Sequence, residues 1–409
     1  MHCVQQQSPA HPFKRNVEPP PPPSTKHAHS SSEELTHNAA VAKGRPHHKP
    51  VLDRPSVLSV SSFGLGVSGA ANFADAYDCL EIIGEGKFGK VHRCVAKESG
   101  VEFAAKRIRT RTAAQRKETS REVEIMRQLR HPRIIRLFDT FHGTSAAEAV
   151  IVMELIEGGE LFDRIADDNF EFSEATVVSI VGQLCEALRY LHSRSIVHMD
   201  VKPENILCIS RMSDRIKLID FGLAQYLDAD KQLSLIAGTP EFVAPEVVNY
   251  EGVDAKADVW SVGVITYILL SGLSPFLGDT VLETYGNVTK GEIDFDDPVF
   301  DRITDAAKKF LLALLAYKKK ERLTAEECLK HEWLQQGPAG VRKASRVGAP
   351  LVTVTASGAV ADKQRLRSYY ARRRWKKAIH AIVALGRMGY ALEDGRMRQE
   401  ALKEAKRRL

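Results

Sequence analysis

The 409 residues hold little that would staple or anchor a chain from outside a folded core. Six cysteines (3, 79, 94, 185, 208 and 328) are scattered with no Cys-x-x-Cys pair. That argues against a zinc site or a disulfide framework, and for reduced thiols in a cytosol. Long apolar runs are missing too. The longest, Val262 to Leu270, is broken by Gly263 and Tyr267 and is too short to span a bilayer. The opening Met1-His2-Cys3-Val4-Gln5-Gln6-Gln7 lacks the apolar core of a signal peptide. No internal repeat is visible. These absences lead to the expectation of a soluble cytoplasmic protein with no transmembrane segment.

An apolar content of 44% allows a large buried core, so one two-lobed unit plus tails is expected. Residues 1–76 carry five consecutive prolines (19–23), clusters of Ser and His, and few aromatics. Such a segment buries too little apolar surface to fold and is expected to be disordered. The net charge of +6 is uneven: from Pro338 onward, 18 Lys and Arg face 5 Asp and Glu, a local +13 that leaves −7 for the remainder. An acidic globule can hold such a basic tail against itself, and an acidic partner can take it away.

The most informative stretch is His198-Met199-Asp200-Val201-Lys202-Pro203-Glu204-Asn205. It places a carboxylate, a cation and an amide on one short loop, the set that phosphoryl transfer needs. Pro203 fixes φ and pushes Lys202 out of the helical region, so a rigid loop and not a helix is expected. Taken alone, these eight residues are equally readable as a polar surface turn. Fifteen residues after Asn205, the apolar run Ile216-Lys217-Leu218-Ile219 delivers Asp220-Phe221-Gly222. An acid at the mouth of a strand, followed by glycine, is a natural Mg²⁺ ligand.

Upstream, Leu80-Glu81-Ile82-Ile83 reads as a strand, Gly84-Glu85-Gly86-Lys87-Phe88-Gly89-Lys90-Val91 as a glycine-rich turn, and Val91 to Val95 as the return strand. A lone Gly-x-Gly-x-x-Gly also marks dinucleotide folds, but there it joins a strand to a helix. The strand Phe103-Ala104-Ala105-Lys106-Arg107-Ile108 then offers a lysine as the cation on the phosphates. Thr112 to Arg130 reads as a helix. Glu122 is best placed to pair inward with Lys106, and Glu124 competes, since two residues rotate a helical side chain by roughly 200°. Leu137–Phe141 and Val150–Met153 read as further strands, and Glu154-Leu155-Ile156-Glu157-Gly158-Gly159-Glu160 as a hinge into a helical second lobe. Ser173 is a candidate N-cap for a core helix. The segment Asp220 to Glu246 ends in Gly238-Thr239-Pro240-Glu241-Phe242-Val243-Ala244-Pro245-Glu246. Asp258-Val259-Trp260-Ser261 opens a buried helix, and Arg322 is a candidate buried partner for Glu246.

In the tail, Arg372, Arg373, Arg374, Lys376 and Lys377 surround Trp375, with Ile379, Ile382 and Met388 beyond. On a helix Trp375, Ile379 and Ile382 fall within about 60° of one another, while Met388 is turned about 140° away. Holding all four requires an acidic partner that wraps the helix, a demand that calmodulin meets. An anionic membrane surface and a plain solvated face are the competing readings. Nucleic acid fits the charge alone, with no recognised fold to present it.

Residues 77–334 resemble a eukaryotic protein kinase domain, with every phosphotransfer motif present and in order. The resemblance implies an α+β bilobal fold: residues 77–156 as a small antiparallel-sheet lobe and 157–334 as a larger helical one. It implies Asp200 as catalytic base and Lys202 as phosphate contact, with Asn205 and Asp220 as Mg²⁺ ligands. ATP would lie against Ile83, Gly84, Glu85, Gly86, Lys87, Phe88, Gly89, Lys90, Val91, Ala104, Lys106, Glu122, Glu154, Leu155 and Glu160. Gly-Thr-Pro-Glu-Phe-Val-Ala-Pro-Glu and Ile-Thr-Tyr-Ile-Leu-Leu-Ser-Gly-Leu-Ser-Pro-Phe are similar to the calmodulin-regulated class, nearest to myosin light chain kinases, with death-associated and titin-like kinases as relatives. Trp375 and Met388 then match the end anchors of a smooth-muscle-type calmodulin-binding segment.

Those likenesses imply a calcium/calmodulin-dependent serine/threonine kinase of the actomyosin cytoskeleton. Its implied substrate is myosin regulatory light chain. A linker at 335–365, an autoinhibitory and calmodulin-binding segment at 366–390 and a charged end at 391–409 complete the organisation. Glu157, Glu160, Asp163 and Glu204 are expected near the substrate entrance, where they would attract the tail's own Arg and Lys, with residues about 363–377 as a pseudosubstrate. Ser345 and Ser368 sit in basic contexts suited to autophosphorylation. The arginine usual before the catalytic Asp is Met199 here, which leaves a phosphate on the activation loop without a local counter-charge. A death-associated-type kinase, or a pseudokinase scaffold that binds calmodulin without catalysis, are the alternatives. Immunoglobulin-like and fibronectin-like domains, frequent in the family, find no match in the sequence. A short isoform and a minimal enzyme both fit.

Overall fold

A computed structural model describes residues 72–86, 89–142, 148–167, 170, 172–211, 213–228, 238–339 and 363–374. Lys87, Phe88, Ser345 and the stretch from Trp375 onward, with Lys376, Lys377, Ile379, Ile382 and Met388, lie outside the described residues.

The disordered segment expected up to residue 76 runs too far. Phe73–Ala76 forms one helical turn, α1, because the Phe73 ring stacks on Tyr77 at 5.4 Å and meets Phe141 edge-on at 5.8 Å. Five antiparallel strands follow: β1 (Tyr77–Gly86), β2 (Gly89–Ala96), β3 (Glu102–Arg109), β4 (Leu137–His142) and β5 (Glu148–Glu154), in the spatial order β1-β2-β3-β5-β4. Side chains alternate across β3 as strand geometry demands. Ala105 joins an aromatic-rich cluster with Tyr77, Cys94 and Phe141 on one face. Ala104 and Ile108 join the main core on the other. The glycine-rich turn is tighter than the sequence suggests: pairing continues to Glu85–Lys90 and Gly86–Gly89, with β-bulges between Cys79 and Gly84. Gly89 has to be glycine, since its φ is +149° and a Cβ would fall 1.9 Å from the Arg107 carbonyl oxygen.

Helix α2 (Ala113–Gln128) packs Ile125 and Met126 into the core, and Thr112 with Gln115 forms a capping box at its start. The helical lobe begins with α3 (Leu161–Ala166) and α4 (Glu174–His192), the latter capped by Ser173, which accepts the Thr176 N–H. Short pairings β6 (Ile196–Val197) with β9 (Gln225–Tyr226), and β7 (Ile206–Cys208) with β8 (Ile216–Leu218), lie on α4 and carry the loops of interest. Then come α5 (Pro245–Val248), α6 (Lys256–Ser271), α7 (Val281–Lys290), α8 (Asp305–Leu314), α9 (Ala325–Lys330) and α10 (Glu332–Gln335). After Lys256 every residue of α6 is buried, so this helix is the axis of its lobe. Trp260 stacks on Phe276 at 5.1 Å, and the Arg322 guanidinium lies over the Trp260 ring. Arg322 makes two bonds to Glu246, 2.7 and 3.0 Å, both side chains buried.

A final helix, residues 363–374, is laid on this lobe. The Lys363 ammonium group caps the carbonyls of Asp167 (3.2 Å) and Phe170.

Candidate active site

The loop between β6 and β7 is shaped by α6. Asp258, in the first turn of α6, accepts the backbone N–H groups of His198 and Met199, 2.9 Å each, and meets His192 Nε2 at 3.0 Å. Burial would raise this carboxyl. The His192 and His198 contacts outweigh it and hold Asp258 below its ordinary value. Met199 is thereby fixed at φ +66°, an uncommon conformation for a side chain of this size. Lys202 is extended, as its place before proline requires, although Pro203–Asn205 goes on to make one 3₁₀ turn instead of an open loop.

Asp200 sits at the centre of this loop. Its carboxylate accepts Lys202 Nζ at 2.5 Å, Asn205 Nδ2 at 3.1 Å and the Thr239 hydroxyl at 3.1 Å, and Lys202 also donates to Thr239 Oγ1 at 3.2 Å. Asn205 is tied to the Asp200 carbonyl at 2.8 Å as well. From the sheet, Lys106 reaches across to Glu122 Oε1 at 2.7 Å and Asp220 Oδ1 at 2.9 Å. Of the two acids that competed in the sequence, α2 turns Glu122 inward, 4% exposed, and leaves Glu124 exposed. Burial works against the Lys106 charge, but the two carboxylates outweigh it and raise its pKa. Burial also opposes the Asp220 charge, and Lys106 brings that carboxyl below its usual value. Glu122 moves upward, pushed by its own burial while Asp220 shares the same cation. Asp220 has φ +63°, and the Phe221 that follows is fully buried, its ring 5.0 Å from His198.

The other residues expected to meet ATP stand along the two edges of this centre. Val91 stands opposite Lys106 in the β2–β3 register, and Ala104 is buried beside it. Ile83 is 42% exposed on β1, with Gly84, Glu85, Gly86, Gly89 and Lys90 along the hairpin beyond. Glu154 turns its side chain away from the cleft to the Arg136 N–H (2.7 Å) and Lys217 Nζ (2.7 Å), and Leu155 packs on the core. The donor set suits magnesium, which is held by one or two carboxylates plus substrate phosphates. Asp220 would offer a carboxylate oxygen to such an ion, and Asn205 an amide oxygen. Among the described residues no cluster of three or more His, Cys, Asp or Glu forms a closed metal cage.

Below this centre lies the tail helix. Arg373 makes three bonds to the Glu204 carboxylate, 3.0 to 3.2 Å, and another to Glu241. One turn earlier, the buried Tyr369 hydroxyl donates to Glu241 at 2.6 Å, and Tyr370 donates to Glu160 at 3.3 Å. Arg374 pairs with Asp163 at 3.6 Å and Arg365 with Asp297 at 2.8 Å. Burial disfavours the Arg373 charge, and Tyr369, Glu204 and Glu241 more than restore it. Burial likewise opposes the Glu204 charge, and Arg373 turns the balance, leaving that carboxyl below its ordinary value. Gly272 gives the helix room: a Cβ there would lie 2.8 Å from that of Arg365. Of the four acids expected at this surface, Glu160, Asp163 and Glu204 meet the tail. Glu157 turns instead to Arg93, at 3.5 Å. Arg372 is exposed. Sequence reasoning missed Glu241, Thr239 and Tyr369. The first two belong to a motif read only as a segment end, and the four-residue step from Tyr369 to Arg373 was the signal for the third.

The model for the protein kinase domain matches residues 77–334. The chain belongs to the protein kinase family. It is 46% identical to human myosin light chain kinase family member 4, over 65% of this chain and 68% of that one. To human myosin light chain kinase 3 it is 45% identical, over 75% of this chain but 36% of that one. The autoinhibited serine kinase domain of titin superposes with a TM-score of 0.64 at 35% identity, covering 73% of this kinase and 88% of that chain. This kinase therefore spans little more than a third of the longer light chain kinase it resembles, and its bilobal fold is that of the family.

Proposed function

We propose that the chain is a calcium/calmodulin-dependent serine/threonine kinase that phosphorylates myosin regulatory light chain and is held off by its own tail helix. In this reading Asp200 orients the acceptor hydroxyl and takes its proton. Lys202 moves from Asp200 and Thr239 onto the transferred phosphoryl group. Lys106, fixed by Glu122, contacts the other phosphates under the hairpin of Gly84, Gly86 and Gly89. Asn205 and Asp220 would hold magnesium, which supplies charge neutralisation on the phosphates when bound. Ile83, Val91, Ala104, Glu154 and Leu155 would surround the base, with Glu160 at the rim.

The observation that carries the regulatory half is Arg373 between Glu204 and Glu241. A guanidinium in contact with the loop that bears Asp200 stands where a basic substrate residue would go, so tail and substrate would compete. The residues just beyond, Trp375 to Met388, have the basic and apolar pattern that calmodulin wraps, and their capture would draw the helix away. The names of the light chain kinases and of the autoinhibited titin kinase support substrate class and autoinhibition. The same kinships support a cytoplasmic, cytoskeleton-associated setting.

The test is phosphate transfer from Mg-ATP to purified regulatory light chain, with and without Ca²⁺-calmodulin, for the full chain and for one ending at Leu334. Transfer by the full chain only with calmodulin, and by the shortened chain in both conditions, is expected. Equal transfer by the full chain in both conditions overturns the switch. Autophosphorylation without light chain transfer overturns the substrate.

A further inference from the structure

Cys79 and Cys94 stand directly opposite each other in the β1–β2 register. Directly opposed residues of an antiparallel pair share a sheet face, with Cα atoms roughly 4.5 to 5.5 Å apart. A disulfide needs about 4.4 to 6.8 Å, so the backbone already meets its requirement. The two thiols are unlike. Cys79 is exposed at the sheet edge, while Cys94 is fully buried with its Sγ 3.6 Å from the Phe103 carbonyl. Arg107, on the same face of β3, is held to Glu148 by bonds of 2.8 and 3.0 Å and lies near Cys79. Exposure leaves Cys79 open to a small oxidant in solvent, while Cys94 is reached only through it. Burial, with Cys79 adding to it, pushes the Cys94 thiol up to about 12, so Cys94 is not the sulfur that meets the oxidant first. Cys185 and Cys328 also touch, but both are buried and neither faces solvent.

We propose that Cys79 and Cys94 are an oxidation site, closed to a reversible disulfide by hydroperoxides, and that the bond controls the glycine-rich hairpin between them. In the first step the Cys79 sulfur, as thiolate, attacks the peroxide. An S–O bond forms, the O–O bond breaks, and with hydrogen peroxide the departing hydroxide takes up the proton the thiol had released and leaves as water. In the second the Cys94 sulfur attacks the Cys79 sulfenic acid. The S–S bond forms, the S–O bond breaks, and the departing hydroxide takes the Cys94 proton as water. The two sulfurs lose two electrons and the peroxide gains them. The closed ring contains both β1 bulges and the phosphate turn, so it limits how far the hairpin can settle onto a nucleotide.

The experiment treats the full chain with one equivalent of hydrogen peroxide, alkylates the remaining thiols under unfolding conditions, and maps the peptides. ATP affinity is measured before and after, by calorimetry, so the result is independent of whether light chain is the substrate. A Cys79–Cys94 link that a dithiol removes, alkylated Cys185, Cys208 and Cys328, and ATP affinity weakened about threefold and then restored are expected. Cys79→Ser should form no link and show no peroxide response. Cys94→Ser should leave a dimedone-reactive Cys79. Linkage of Cys79 to any other cysteine, or none, overturns the site. A link that leaves ATP affinity unchanged overturns the control of the hairpin.

Discussion

Arg373 shows how much one side chain can decide. Its guanidinium is paired with two carboxylates from different elements and lies 4.9 Å from the Phe242 ring. Removing one partner from a buried ion pair costs about 3 kcal/mol, because the other charges stay buried and unmatched. Arg373→Ala should therefore shift the balance of docked and released tail by about two powers of ten. Calcium-free light chain kinase activity is expected to rise at least about tenfold, with activity under saturating Ca²⁺-calmodulin unchanged. A calcium-free rate equal to that of the parent chain would rule out Arg373 as the anchor. The pH response has a definite sign. Glu204 has a depressed carboxyl in the docked state, so its contribution is complete above about pH 5 and fades as pH falls through the docked value. Repression should be level between about pH 6 and 8 and weaken only in acid.

At the scale of elements, α2 shows what periodicity gives and what it leaves to packing. The sequence placed the helix and favoured Glu122 over Glu124 as the partner of Lys106, but helical spacing gives relative angles and not the absolute direction of the core. Packing of Ile125 and Met126 settles the rotation and puts Glu122 on Lys106. Glu122→Gln should lower kcat about 10²-fold by loosening Lys106, whereas Glu124→Gln should stay within about twofold of the parent. Steady-state rates with a light chain substrate, on the chain ending at Leu334 so that the tail plays no part, separate the two. Equal effects would mean the pair is structural only. The same distinction explains what was legible elsewhere. The Asp200 loop, the strand leading to Asp220 and the Glu246–Arg322 partnership were readable, since each rests on local spacing or on a charge among apolar neighbours. Glu241 was not, because its meaning depends on a helix that begins 122 residues later in the chain. Thr239 was hidden for the same reason: only the fold brings its hydroxyl to Asp200.

Over the whole molecule the division of charge gives the switch its range. The last 72 residues carry +13 and the rest −7, so the basic tail is drawn toward the acidic body from well beyond contact distance. Exposed charges feel this attraction only within a Debye length, about 10 Å at 0.1 M salt and about 30 Å at 0.01 M. Arg374 with Asp163 and Arg365 with Asp297 are exposed enough to be screened, while the Arg373 side chain is only 14% exposed and far less so. Salt should thus loosen the tail in part and leave the central anchor. Calcium-free activity of the full chain, divided by that of the chain ending at Leu334 to cancel effects on substrate binding, is expected to rise severalfold between about 0.05 and 0.3 M sodium chloride without reaching unity. In Arg373→Ala the same ratio should start high and climb close to unity, because only screened contacts are left. A ratio indifferent to salt would mean that the burial of Leu366 and Tyr369 in the core of the helical lobe, not charge, holds the tail in place.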